Sequence, residues 1–156
     1  MVESFYQTVN FHFKVEFPLT KENIDVRFQS VSGLDVTIDT EQVKEGGENR
    51  FEHVLPVRRK SSPLILKRGL LKPSASGLTR WLQQAFDEEE VVILKTVNIT
   101  LLNEEHNPLM LWTINNVWPR SWKMGELNAE QGAVLIETLE LNYNRLLLSE
   151  PKSKNQ

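Results

Sequence analysis

The residues of this chain that could do chemistry are its three histidines, a Gly-Gly pair in a charged loop, an acidic run and two basic clusters. His12 falls on the polar side of an alternating segment, His53 in a short extended segment and His106 in a polar turn. None has the sequence spacing of a metal site, and neither an H-E-x-x-H zinc helix nor a G-x-S-x-G nucleophile turn occurs. Glu104-Glu105-His106-Asn107 carries oxygen ligands for a cation but reads as a solvated hairpin turn. Gly46-Gly47 lacks the lysine and following helix of a phosphate loop, and reads as a backbone turn. Carboxylates are plentiful, yet no pair stands in an apolar setting that would tune one for acid–base work. The sequence therefore points away from an enzyme and implies no cofactor and no resident metal.

Arg58-Arg59-Lys60 and Lys67-Arg68 could contact phosphates, or could form a charged strand face that pairs with acids on a neighbouring strand or subunit. The net charge of −3 and the absence of interleaved aromatics favour the second reading. Asp87 to Glu90, and Glu45 to Glu48, are the acids available to meet them. Trp81 and Trp112 lie on apolar stripes and are expected in the core. Trp118 and Trp122 flank Pro119, where core and subunit interface are both open.

The elements that must position these residues are mostly strands. Phe11, Phe13, Val15 and Phe17 alternate with His12, Lys14 and Glu16, the pattern of a half-buried strand. Ile24, Val26 and Phe28 resume the alternation, Ser32-Gly33 marks a turn or bulge, and Leu34, Val36 and Ile38 continue it. Phe51 to Leu55 reads as a short strand limited by Pro56, and Leu64 to Leu71 as another. Val91 to Leu102 is the longest candidate, with Val91, Ile93, Val97, Ile99 and Leu101 on one face. After the turn at Asn103 to Asn107, Met110, Trp112 and Ile114 begin a return strand, Trp118 to Trp122 forms a separate extended piece, and Ala133 to Tyr143 closes the domain.

One helix interrupts this pattern. Leu78, Trp81, Leu82, Ala85 and Phe86 form a single apolar stripe, with Ser74 or Ser76 as cap. Asp87 to Glu90 would oppose the negative end of the helix dipole, so the helix is expected over about Ser76–Phe86. The predicted fold is mainly β: a small β-barrel or sandwich of two packed antiparallel sheets with one flanking α-helix. With 156 residues and no cysteine, the chain can bury a core without disulfides. A single domain over 1–148 is expected, followed by a disordered polar tail over 149–156. No segment reads as a membrane span or secretory signal.

Several segments, in order, carry a family resemblance: Phe28 to Leu34, Glu45 to Phe51, Leu66 to Leu70, Val97 to Leu102, Asn116 to Pro119, and Glu137 to Leu141. The chain resembles the tail tube proteins of contractile phage tails and phage-tail-like injection particles, over about Phe11 to Tyr143. The resemblance implies a fold similar to the type VI secretion tube subunit, with six copies closing into a ring and rings stacking into a hollow tube inside a contractile sheath. It implies assembly in the bacterial cytoplasm, then a place in a virion or a released or anchored particle. Implied partners are further copies of the chain, the sheath, baseplate, spike and tube-capping proteins, and cargo in the lumen, whether DNA or a protein effector. Sequence-specific nucleic-acid binding and stable membrane insertion are not implied. A cargo-binding ring, as a secreted effector or chaperone on the same fold, is the alternative.

On this reading Lys44, Glu45, Gly46, Gly47, Glu48, Asn49 and Arg50 form a loop between subunits, and Arg58, Arg59, Lys60, Lys67 and Arg68 are interface charges. Arg80, Gln83 and Gln84, on the polar side of the helix, would face the sheath.

Overall fold

A computed structural model describes residues 11–19, 27–44, 52–130, 132 and 134–152. Among these residues nine strands and one α-helix follow in the order β1 (His12–Glu16), β2 (Ser30–Ser32), β3 (Val36–Lys44), β4 (Glu52–Ser61), β5 (Leu64–Gly69), α1 (Gly77–Phe86), β6 (Leu94–Leu102), β7 (Pro108–Met124), β8 (Ile136–Asn142) and β9 (Arg145–Ser149), with a 3-10 turn at Pro73–Ala75 before α1. All pairings are antiparallel. A seven-stranded sheet runs β1-β6-β7-β8-β5-β2, with β9 also on β7, and a separate two-stranded sheet joins β3 to β4. The mainly β expectation of two antiparallel sheets with one helix is met. Among the described residues no ladder joins β1 to β2, so the sheet does not close into a barrel.

Strand β7 organises the larger sheet. Its first part pairs with β6 on one side and β9 on the other, and its last part, from Trp118 to Met124, pairs with β8. Near the junction Asn116 has a φ of 54°, a left-handed conformation that asparagine tolerates better than most residues. Around it the buried positions are three apart on both partner strands, Ile114 and Val117 on β7 and Leu94 and Val97 on β6. Both strands thus change faces together. The two parts of the sheet share a core of Val15, Leu64, Leu66, Val97, Ile99, Ile114, Val117, Leu139 and Leu141 with the helix residues Leu78, Trp81 and Leu82.

That face change corrects one strand boundary. Val91, Val92 and Ile93, expected inside β6, are exposed and precede it, because Leu94 rather than Ile93 carries the inward position. The carbonyl of Val92 instead accepts a 2.8 Å hydrogen bond from Trp81 Nε1, which ties this segment to the helix. Trp118 to Trp122 belongs to β7 itself, since pairing with β8 carries the strand through Pro119 by a register shift that skips Arg120. Pro56 does not end β4: the register shifts between Asp39 and Thr40, and Pro56 pairs with Thr40. A strand with one unpaired edge can carry a proline beside such a bulge. The chain also continues past Tyr143 into β9, whose Leu146-Leu147-Leu148 lacks alternation and is ordered by its partner β7. Ser149 is therefore in a strand, while 153–156 lie outside the described residues.

Helix α1 begins where Ser76 caps it, its Oγ accepting from the Thr79 N–H at 3.1 Å, and it ends at Phe86 before the acidic run. Leu78, Trp81, Leu82 and Ala85 are buried as the stripe requires, but Phe86 is 41% exposed, because the helix runs past the edge of the core.

Candidate assembly surfaces

The β3–β4 ribbon is built differently from the rest of the molecule. Its strands are 9 and 10 residues long, and among the described residues each pairs only with the other. Val36 and Ile38, which alternate with Thr37 and Asp39, are exposed at 44% and 59%, and Thr37, Asp39, Arg58, Arg59 and Lys60 are exposed as well. Both faces of this end of the ribbon are therefore in solvent. Isolated two-stranded ribbons are marginal in water, and unpaired edges are ready templates for another chain.

The ribbon's base is fixed by Gly33, which has a φ of 88° and lies so close to the Pro63 carbonyl that a Cβ would fall 2.1 Å from its oxygen. A side chain there meets both a disfavoured backbone and a backbone wall. Ser32-Gly33, expected as a turn or bulge, is the point where the chain leaves β2 for the ribbon.

The expected interface residues separate into distinct groups. Arg58 lies opposite Asp39 across the ribbon ladder, Arg59 opposite Ile38 and Lys60 opposite Thr37, all solvent-facing. Lys67 is also exposed, on β5. Lys44 is the last residue of β3, and Glu45, Gly46, Gly47, Glu48, Asn49 and Arg50 lie outside the described residues.

Arg68 is placed differently from the other basic residues. It is 3% exposed and forms a buried ion pair with Glu137, directly opposite on β8. Glu137 is an acid that the sequence did not single out for it, and Glu45 to Glu48 lie outside the described residues. The guanidinium also donates to Ser76 Oγ at 2.9 Å and Thr79 Oγ1 at 3.0 Å, and lies 5.5 Å from the Phe28 ring centre. Trp122 Nε1 donates to the second carboxylate oxygen of Glu137 at 3.0 Å. This network joins β5, β7 and β8 to the first turn of α1. Burying two charges is costly unless each is paired and its remaining sites are hydrogen-bonded, and here both conditions are met.

A sequence signal for this pair existed. Arg68 has the same parity as Leu64 and Leu66, and Glu137 the same parity as Leu139 and Leu141, so each falls on an inward face. What the sequence lacked was the register that sets them opposite. Trp122, left open between core and interface, is part of this network.

On α1, Arg80 is exposed and Gln83 and Gln84 are partly exposed, opposite the buried stripe. Arg80 reaches back to the Ser74 carbonyl at 3.4 Å. Beyond the helix, Asp87 to Glu90 and then Val91 to Ile93 form an exposed acidic and apolar strip. Leu127 and Val134 are also exposed in the β7–β8 connection. Among the described residues no group of three or more His, Asp or Glu side chains could hold a metal ion, and no helix is long and apolar enough to cross a membrane.

The chain is similar in sequence and fold to known tail tube proteins. The chain belongs to the T4-like virus tail tube protein gp19 family, whose model matches residues 9–147. A chain of the six-fold symmetrised anti-feeding prophage baseplate is 34% identical, with 90% of this chain and 92% of that chain covered and a TM-score of 0.76. A chain of the extended sheath–tube complex of the PVC extracellular contractile injection system gives the same TM-score at 23% identity, covering 94% and 93%. Hcp1 from Salmonella typhimurium has the same fold at 10% identity, covering 90% and 86%, with a TM-score of 0.56. No curated protein matches. The protein is a tail tube protein, and its family and fold relatives are structural.

Proposed function

We propose that this chain is the repeating subunit of the inner tube of a contractile phage tail or phage-tail-like injection particle. Six copies close into a ring, rings stack into a hollow tube, and sheath contraction drives that tube through a target envelope while cargo passes along the lumen. One observation carries this reading: the described end of the β3–β4 ribbon has two exposed faces, and the ribbon has no further strand partner among the described residues. A neighbouring copy supplies both the missing pairing and the missing cover. The six-fold symmetry of the anti-feeding prophage assembly supports a ring of six.

In this arrangement Lys44 to Arg50, Arg58, Arg59, Lys60 and Lys67 meet neighbouring subunits. Arg80, Gln83 and Gln84 face the sheath. Baseplate, spike and cap proteins meet the ends of the tube. Subunits assemble in the bacterial cytoplasm before joining the particle, and the chain performs no catalysis.

The test is native mass spectrometry and electron microscopy of the purified chain beside a variant in which Glu45 to Asn49 is replaced by a short turn. The parent chain forms six-membered rings and stacks, and the variant keeps its melting temperature but stays monomeric. A parent chain that remains monomeric at high concentration, with no tubes in its native host, would refute the proposal.

A further inference from the structure

The fold brings together two histidines 94 residues apart. His12 opens β1, opposite Leu102 at the end of β6, and His106 lies in the turn that follows. His12 Nε2 and His106 Nδ1 are 2.6 Å apart, with the rings edge to face and their centres 4.5 Å apart.

We propose that His12 and His106 form a binding site for one divalent transition-metal ion of the zinc, nickel and copper class. The two ring nitrogens face each other across a single hydrogen-bond contact, so an ion inserted between them would meet one nitrogen from each ring, and imidazole is a ligand that these ions prefer. The His106 backbone is held in place: its N–H donates to the Asn103 carbonyl at 3.0 Å, and Asn103 Oδ1 accepts from Glu105 and Asn107 N–H groups at 2.9 Å each. His12 is held by the β1–β6 ladder. The side-chain torsions must adjust, and the ring that donates in the contact must shift its proton to its other nitrogen, so that both facing nitrogens offer a lone pair to the ion.

The adjustment is small. Zinc–nitrogen bonds of about 2.0–2.1 Å at a tetrahedral angle set two ligand nitrogens about 3.3 Å apart, so the rings must open by less than about 1 Å. His106 is exposed and His12 partly exposed. Water, or a donor from an adjoining molecule, completes the coordination sphere, because no third ligating side chain joins the group among the described residues. Affinity is therefore in the micromolar range rather than that of a closed structural site. Magnesium and calcium, which take oxygen ligands, are not bound. A bound ion cross-links the first strand, at an edge of the sheet, to the turn between β6 and β7.

The experiment is calorimetric titration of the tag-free full chain with Zn²⁺ and with Ni²⁺, with Mg²⁺ as control. One ion binds per subunit, and His12→Asn and His106→Asn each weaken binding by about tenfold or more. His53→Asn binds as the parent chain does. Zn²⁺ raises the melting temperature of the parent chain but not of the two variants, whose own melting temperatures without metal show that they are folded. No binding of either ion below about 1 mM, or equal binding by the His12 and His106 variants, overturns the proposal.

Discussion

Two basic clusters lie within eleven residues of each other in the sequence, and the fold uses them in opposite ways. Arg58, Arg59 and Lys60 stand in solvent on a ribbon end that has no buried side chain among the described residues. Arg68 stands on the next strand, where alternation with Leu64 and Leu66 turns it inward to meet Glu137. The residue types are the same; what differs is whether a hydrophobic layer lies under the strand. A charge on a two-stranded ribbon keeps its water and is available to a partner. A charge on the inner face of the sheet must be satisfied inside the subunit.

Substitutions can break that contrast, and the largest effects belong to the buried side. Arg68→Ala leaves the Glu137 carboxylate buried without its cation and costs about 3–5 kcal/mol by chemical denaturation. Replacing both, as Arg68→Met with Glu137→Leu, recovers most of that loss. If Arg68→Ala is no worse than an ordinary surface substitution, the clamp does not exist as described.

Trp81→Ala costs a similar amount, about 3–5 kcal/mol, since it removes a core side chain and the hydrogen bond to Val92. A negligible change would turn the helix over. Gly33→Ala comes next: a disfavoured φ alone costs about 1–3 kcal/mol, and the contact with Pro63 adds to it. Assembly is then lost along with stability. Ser76→Ala removes the cap and a partner of Arg68, for about 1–2 kcal/mol, read in the same denaturation experiment.

The smallest effect on folding sharpens the comparison most. Neutralising Arg58, Arg59 and Lys60 to glutamine shifts subunit stability by no more than about 0.5 kcal/mol per site. Ring or tube formation measured by light scattering falls sharply in the same variant. Unchanged assembly would remove these residues from the interface.

The elements were legible to the extent that local pattern determines them. Alternation in β1, the apolar stripe and cap of α1, and the glycine at the ribbon base are all properties of neighbouring residues. The strand boundaries that differed lie where a partner decides. Leu94 takes the inward position because β6 and β7 change faces together near Asn116, and β9 forms because β7 offers it an edge. The loop that follows Lys44 was legible only as composition, and residues 45–50 lie outside the described residues.

The sequence alone determined the mainly β class, the single capped helix and family membership, because periodicity, capping and ordered motifs are carried by residues close together along the chain. Only the tertiary structure decided which basic residue is internal and which histidines meet. Arg68 and Glu137 are 69 residues apart, and His12 and His106 are 94 apart. Such pairs are created by strand register, and register is settled by how the whole sheet covers its core.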